Sequence, residues 1–184
     1  RKIGGNLAVL RDQRPFYHVL ATRLIEHDPV LKKIEIDTFS ERGKGEDFFY
    51  SYHFIIELLV GLFEGRLKSA ARNNGHQFTA KELDAHAAHA SFYFAKLMEH
   101  LPAPSRDHLC WSDETQVALA LFFHDEAVKS ATFNKYALEH AMSILPHVPW
   151  DNMYATDEEA ALPRRAKTLH AYEFLKRFYE DNRL

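Results

Sequence analysis

The sequence predicts an all-α protein, a single-domain bundle of about six helices. Apolar residues recur at helical spacing along most of the 184-residue chain, and cap and breaker residues divide these stretches into helices. No segment alternates long enough to make a convincing strand. A hydrophobic content of 46% with only 7 Gly and 7 Pro excludes a disordered or collagen-like chain, and the length is sufficient to bury a core without disulfides.

The N-terminal part is expected to hold one helix and one loop. Pro15 is placed to open a helix that ends at about His27, because Asp28-Pro29 follows, and a short continuation could reach Ile34. Turn-forming residues then dominate up to Gly45. The expected organisation is one helical domain over 1–184, with the N-terminal helix and loop at 1–45 and the helical core at 46–184.

The helices of the core have start signals in the sequence. The pairs Thr79/Glu82 and Thr156/Glu159 have capping-box spacing, Ser112 and Thr132 are good N-cap residues, and Pro163 can open the last helix. The expected helices run from about Glu46 to Ala71, from Thr79 to Leu101, from Asp113 to Ser130, from Thr132 to before Pro146, and from Pro163 onward.

Two details of helix packing are also expected. Gly61 and Gly65, four residues apart, would let another helix approach the long helix closely. The apolar stripe of the last helix is expected to comprise Leu162, Ala166, Leu169, Tyr172 and Phe178.

Charge, length and cysteine content exclude several partners. A net charge of -3 and a pI of about 6.5 give no overall attraction to nucleic acid. The most apolar run, from Phe48 to Phe63, is too short to span a bilayer and contains His53 and Glu57. The lone Cys110 cannot form an internal disulfide, and no signal-peptide pattern is present at the start, so a cytoplasmic protein is expected.

Twelve histidines are the most unusual feature of the composition. Glu82, His86 and His89 fall at i, i+4 and i+7 of one helix, and such a face could contribute ligands to a metal held between helices. Most histidines on a half-apolar helix are instead boundary residues that bind water or the backbone.

The sharpest signal is a His-Asp doublet at the end of an apolar run. Seven apolar residues, 117–123, lead directly into His124 and Asp125. A carboxylate beside a buried helix needs a cation or hydrogen bonds to compensate for lost water. Two interpretations stay open: a metal site, or a structural pair in which Asp125 caps or bridges helices.

The doublet and its surroundings resemble the HD superfamily of metal-dependent phosphohydrolases, in which a hydrophobic helix ends in a His-Asp pair. The similar stretch runs from about Ala85 to Leu145 and includes Asn134 and Ala137 after the doublet. The resemblance implies a divalent metal bound by His124 and Asp125, with an earlier histidine as a further ligand. His89 fits that position, and His86 competes for it.

The same resemblance implies a late aspartate and a substrate. Asp157 is the candidate ligand, with Asp151 as an alternative, although neither has the expected context. Asp125 and Lys129 are the expected catalytic residues, since Lys129 could stabilise charge on a phosphoryl group. The substrate implied is a small phosphate ester or a nucleotide.

Parts of the sequence also resemble two other families of metal-binding proteins. Residues 3–5, Phe16-Tyr17, 28–31 and 79–85 resemble the early helices of truncated haemoglobins, with Tyr17 as a distal residue. Residues 71–73 lack the proximal histidine and His76 is displaced, so haem is not favoured. His53 and Glu57 resemble the i, i+4 unit of hemerythrin-like di-iron proteins, but the complementary pair of histidines is missing.

A non-catalytic helical interaction protein is the remaining alternative. Aromatic clusters at 48–52 and 92–94, and the pair Phe178-Tyr179, would serve either as core or as a homodimer surface. The basic residues at 164–167 are too few to indicate a phosphate-binding patch.

Overall fold

The computed structural model describes residues 16–33, 36–37, 50–67, 78–105, 107–128 and 132–182. These ranges confirm the all-α bundle. Seven α-helices lie within them: α1 Phe16–His27, α2 Tyr52–Glu64, α3 Ala80–His100, α4 Asp113–Phe123, α5 Lys135–Met142, α6 Asp157–Ala160 and α7 Arg164–Asn182. Short 3₁₀ turns are present at Leu31–Lys33, Leu109–Trp111, Leu145–His147 and Trp150–Asn152.

The predicted helix starts are largely confirmed, because a capping side chain acts locally. Thr79 and Thr156 each form a complete capping box, and the Ser112 hydroxyl accepts the backbone N–H of Thr115. The prediction for α5 was wrong by two residues. Asn134, rather than Thr132, is the N-cap, and its side chain accepts the backbone N–H of Ala137.

Helix α2 is shorter than the sequence predicted. It starts after Ser51, whose hydroxyl accepts the backbone N–H of Phe54. It ends at Glu64, because Gly65 adopts the left-handed conformation (φ 61°, ψ 33°) and donates its N–H to Gly61. Residues 46–49 and 68–71 of the predicted helix lie outside the described residues.

One small departure from the all-helical prediction involves two-residue strands. Strand β1, Ile36–Asp37, pairs in parallel with β2, Tyr50–Ser51, with Ile36 opposite Tyr50 and Asp37 opposite Ser51. This ladder leads directly into α2 and leaves the fold class unchanged.

Helix α4 is the centre of the bundle. It packs most extensively against α7 and α2, while α1 contacts α2 and α3, and α5 contacts α3. Nine of its eleven residues, 115–123, are buried. A single core cluster connects side chains of α1, α2, α3, α4, α5 and α7.

The predicted apolar stripe of α7 was only partly right, since Tyr172 and Phe178 are partly buried and pack against the core. The buried residues are Thr168, Ala171, Leu175 and Tyr179, whereas Leu169 is 43% exposed. The buried face includes the small residues Thr168 and Ala171, which a stripe of large apolar side chains leaves out. The apolar spacing alone did not contain that information.

The aromatic clusters belong mostly to the core. Tyr50, Tyr93 and Phe94 are buried, and Phe92 and Phe178 are partly buried against them. Among the described residues, the large hydrophobic side chains that are exposed belong to Tyr136 and Leu169. In the same part of the chain, no helix has the combination of length and apolar character that crossing a membrane requires.

Candidate functional site

The His124–Asp125 doublet lies where the regular part of α4 ends. Residues His124–Val128 form a single π-helical turn, and the doublet supplies its first two residues. Such turns disturb the i to i-4 hydrogen-bond ladder and occur often at functional sites. The structure therefore gives an irregular backbone to the position that the sequence singled out.

The imidazole of His124 is fixed by the end of α2. Its Nδ1–H donates to the carbonyl oxygen of Leu62 over 2.9 Å. That carbonyl lies in the last turn of α2, where backbone acceptors lack partners within the helix. Because Nδ1 carries the proton, the lone pair of the neutral ring is on Nε2. This is the tautomer that a metal-binding histidine uses when a carbonyl holds its other nitrogen.

Gly61 of α2 and Gly65, which ends it, allow α4 and the turn that follows it to approach this closely. A Cβ atom at Gly61 would lie 3.2 Å from Cβ of Ala120, and a Cβ atom at Gly65 would overlap the ring of His124. Both pairs are four residues apart on their helices, so they lie along one line of contact. The predicted close approach at the two glycines is confirmed, and the approaching helix is α4.

The carboxylate of Asp125 is bound by the opposite neighbour of α4. Its Oδ2 accepts the hydroxyl of Tyr172 on α7. Burial raises the pKa of the Tyr172 phenol, and the hydrogen bond to Asp125 raises it further, so the phenol stays a donor. The two side chains of the doublet are thus bound by different helices, α2 and α7.

His89 of α3 is connected to the end of α2 indirectly, through the ring of Phe133. Its ring stacks on Phe133 with centroids 4.2 Å apart, and Phe133 lies 6.4 Å from the ring of Phe63. Phe63 follows Leu62, to which His124 is bonded. Burial lowers the pKa of His89, and the charges of His86 and Lys135 lower it further. His89 therefore favours its neutral form.

His86, the competing choice, lies inside an aromatic cluster. Its ring is 4.9 Å from that of Phe16 and 4.6 Å from that of Phe63, and its Nδ1 bonds to the backbone oxygen of Glu82 over 2.8 Å. The carbonyl of its own helix thus sets its tautomer, and its ring packs at steep angles against those of Phe16 and Phe63.

The remaining predicted residues are not gathered with the doublet. Asp157 and Asp151 are exposed, Asp157 in the first turn of α6. Lys129 lies outside the described residues. Across residues 16–33, 36–37, 50–67, 78–105, 107–128 and 132–182, no three His, Cys, Asp or Glu side chains are placed to hold a metal ion. The donor chemistry of the doublet suits a cation, but the described residues do not assemble a complete ligand set.

The alternative sites also differ from what the sequence suggested. His53 is exposed, and Glu57 pairs with Arg164 of α7 over 2.8 Å, so this carboxylate already has a cation as partner. Tyr17 packs against Phe16 and Phe63, and burial raises the pKa of its phenol, with Glu64 adding to the effect. Residues 3–5 and 71–76 of the haemoglobin-like pattern lie outside the described residues.

Sequence reasoning missed the residues that hold the doublet. Tyr172 had been placed in an apolar stripe, and Leu62 takes part only through its backbone. These partners lie 47 and 62 residues from the doublet, and no local pattern connects them. A tyrosine on a helix that packs beside a part-buried acid is the one signal that could have suggested Tyr172.

Comparison with known proteins adds no family assignment. No protein-family model matches the chain, and no curated protein or solved structure matches it.

Proposed function

We propose that the protein is a metal-dependent hydrolase of small phosphate esters, with His124 and Asp125 at its centre. The observation that carries this proposal is the π-helical turn, which starts at the doublet and gives each of its side chains a separate hydrogen-bond partner. Irregular turns of this kind are common where a helix contributes to a site.

The hydrogen bonds support the assignment of ligand roles. Histidine ligands usually donate their second nitrogen to a carbonyl, and ligand carboxylates are usually hydrogen-bonded as well. Leu62 and Tyr172 supply these partners to His124 and Asp125. In this proposal Nε2 of His124 and Oδ1 of Asp125 bind the cation.

His89 is the proposed third protein ligand. Its neutral imidazole is suited to the role, and its stacking partner Phe133 is 6.4 Å from the ring of Phe63, which follows Leu62 in the last turn of α2. Binding through His89 requires its ring to leave Phe133, so cation binding is expected to be accompanied by a local rearrangement. Asp157, exposed on α6, is left out of the ligand set proposed from the geometry.

The roles of the cation and of the protein side chains follow from these positions. When bound, a divalent cation acidifies a water molecule and polarises a phosphoryl oxygen. The chain itself supplies His124 and Asp125 as fixed donors. The buried apolar residues of α4 that precede them exclude bulk water from that side of the doublet. The substrate class, a small phosphate ester or nucleotide, comes from the resemblance of the doublet to the HD superfamily.

Hydrolysis of p-nitrophenyl phosphate in the presence and absence of Mn²⁺ tests the proposal. Asp125→Asn keeps the shape of the side chain but removes its charge, and it is expected to lower the Mn²⁺-dependent rate at least a hundredfold. Asp107→Asn, at an exposed position, is the matched control and is expected to leave the rate unchanged. A wild-type protein with no metal-dependent hydrolysis, or an active Asp125→Asn variant, would contradict the proposal.

A second candidate is a non-catalytic helical protein in which the doublet is structural. The same contacts favour it, because His124 caps α2 and Asp125 connects α4 to α7. It predicts that His124→Ala and Asp125→Ala lower stability while the wild type binds no metal. The expected homodimer belongs to this candidate, and light scattering of the purified protein tests it.

A further inference from the structure

The π-helical turn that follows α4 bonds to two different helices through adjacent residues. His124 donates its Nδ1–H to the carbonyl oxygen of Leu62 in the last turn of α2. Asp125 accepts the hydroxyl of Tyr172, near the middle of α7. These two residues are the first two of the turn, so a single short segment connects the end of α2 to α7.

The backbone of this turn determines the direction of both side chains. A π-helical turn contains one residue more than the α-helical turn that it replaces. If the turn became regular α-helix, the residues that follow would rotate by about 100°, the angle between successive residues of an α-helix. Because His124 and Asp125 both lie within the turn, this one backbone change would redirect both side chains and take each from its partner.

The later residues of the turn provide a third contact that depends on the same backbone. Ala127 and Val128 are buried, and the carbonyl oxygen of Ala127 accepts the backbone N–H of Asn134 over 2.8 Å. Asn134 is the N-cap residue of α5. Rotation of the turn would move this carbonyl away, so the amide of Asn134 reports on the state of the turn.

We propose that the π-helical turn is a two-state conformational switch that couples the end of α2 to α7. In the π-helical state both bonds of the doublet are made, and in the α-helical state both are lost. Each bond stabilises the π-helical state, so breaking one of them raises the population of the other state and weakens the second bond. Displacement of α7 is thereby transmitted to the end of α2. The coupling needs no bound cation and is independent of the proposed hydrolase activity.

A double-mutant cycle, measured by urea denaturation, tests the coupling. Tyr172→Phe removes the hydroxyl bound to Asp125, and His124→Ala removes the ring bound to Leu62. If the two bonds were independent, the factors by which the substitutions lower the folding equilibrium constant would multiply to within about twofold. The switch predicts a double variant whose loss is smaller than that product by at least about fivefold, because the first substitution already weakens the second bond.

Tyr154→Phe is the matched control for the cycle. The Tyr154 hydroxyl is also half-buried and also bonds to α7, where it donates to the backbone oxygen of Lys167. It has no bond to the doublet among the described contacts. Combined with His124→Ala, this substitution should give factors that multiply to within about twofold.

NMR of the folded single variants provides a second measurement, which does not require His124→Ala to fold. In Tyr172→Phe the ¹⁵N signal of His124 Nδ1 should shift toward the position of a nitrogen without a hydrogen bond. The amide proton of Asn134 should exchange at least about tenfold faster than in the wild type, because local opening of the turn is more frequent. Tyr154→Phe should leave both signals unchanged. Factors that multiply in the Tyr172→Phe cycle, or unchanged His124 and Asn134 signals in Tyr172→Phe, would overturn the proposed switch.

Discussion

Asp28 is a buried carboxylate at the end of α1, with only 3% of its surface exposed. It accepts the backbone N–H groups of Val30 (2.9 Å) and Leu31 (2.8 Å), and the hydroxyl of Ser91 on α3. One side chain therefore ends α1, starts the following 3₁₀ turn and connects both to α3. The sequence predicted the helix end here but not the burial of the acid, because Ser91 is 63 residues away.

Asp28→Ala is expected to lower the free energy of unfolding by about 2 to 4 kcal/mol, because the buried N–H of Leu31 and the part-buried N–H of Val30 lose their acceptor. Asp84→Ala is the control, since its exposed ion pair with Arg23 is worth about 1 kcal/mol or less. Urea denaturation of both variants measures the difference. Equal losses in the two variants would contradict the role assigned to Asp28.

His89 links stability to pH. Its pKa is below the ordinary value of 6.5, first because of burial, so the unfolded chain binds the proton more readily than the folded protein. The stability contributed by neutral His89 is therefore present above about pH 6.5 and is lost as the pH falls through its lower folded pKa. His89→Gln should lose less stability than the wild type between pH 7.5 and 5.5.

Urea denaturation at the two pH values gives this comparison, and His53→Gln, at an exposed position, serves as the control. The control should follow the wild type. A wild-type pH dependence that is unaltered in His89→Gln would show that His89 does not carry the effect.

The contact between α2 and α4 depends on two glycines with different roles. Gly61 is helical and lies against Ala120, whereas Gly65 has a positive φ and lies against His124. An added methyl group at the first position meets Cβ of Ala120 at 3.2 Å, which is shorter than an ordinary van der Waals contact. At the second it meets both an unfavourable backbone conformation and an imidazole ring.

Gly65→Ala is expected to cost about 2 to 5 kcal/mol, the sum of the left-handed backbone penalty and of overpacking. Gly61→Ala should stay within about 1 kcal/mol of the wild type, because the gain in helix propensity offsets the tight contact. Urea denaturation provides both values. In a His124→Ala background the overpacking part of the Gly65→Ala cost should disappear, and a cost that stays unchanged there would contradict the observed contact.

Local signals and long-range packing explain which elements could be predicted. The starts of α3, α4 and α6 were predictable because Thr79, Ser112 and Thr156 bond to amides within three residues. The end of α2 was missed because a glycine can continue a helix or stop it. The core face of α7 was only partly predicted, because its buried residues include Thr168 and Ala171, which large apolar side chains do not mark.

In the candidate site, too, a local feature was predictable and the long-range contacts were not. The sequence predicted that Asp125 needs a partner, since an acid that follows seven apolar residues must be compensated for its lost hydration. Its partners were not, because Leu62 and Tyr172 reach it only through the packing of α2 and α7 on α4. His89 was predicted as a ligand, and that role stays a prediction.

At the scale of the whole molecule, one core includes the N-terminal helix. Leu20, Ala21 and Leu24 of α1 are buried in the same cluster as α4 and α7. The N-terminal helix and the helical core are therefore expected to unfold together, as small single domains usually do.

Coincidence of unfolding curves tests this cooperativity. Trp111 and Trp150 are buried in the core, so their fluorescence reports on tertiary packing, while far-ultraviolet circular dichroism reports on the helices. The two signals should change at the same urea concentration. Separate midpoints would show that part of the bundle unfolds on its own.

Metal content is the most direct test of the central claim, that the doublet binds a cation. After incubation with Mn²⁺ and removal of the excess, elemental analysis of the wild type should find stoichiometric metal. His124→Ala should have lost it, and His53→Ala, which removes an exposed histidine, should retain it. A folded wild type that retains no metal, or a His124→Ala variant that retains as much as the wild type, would contradict the claim.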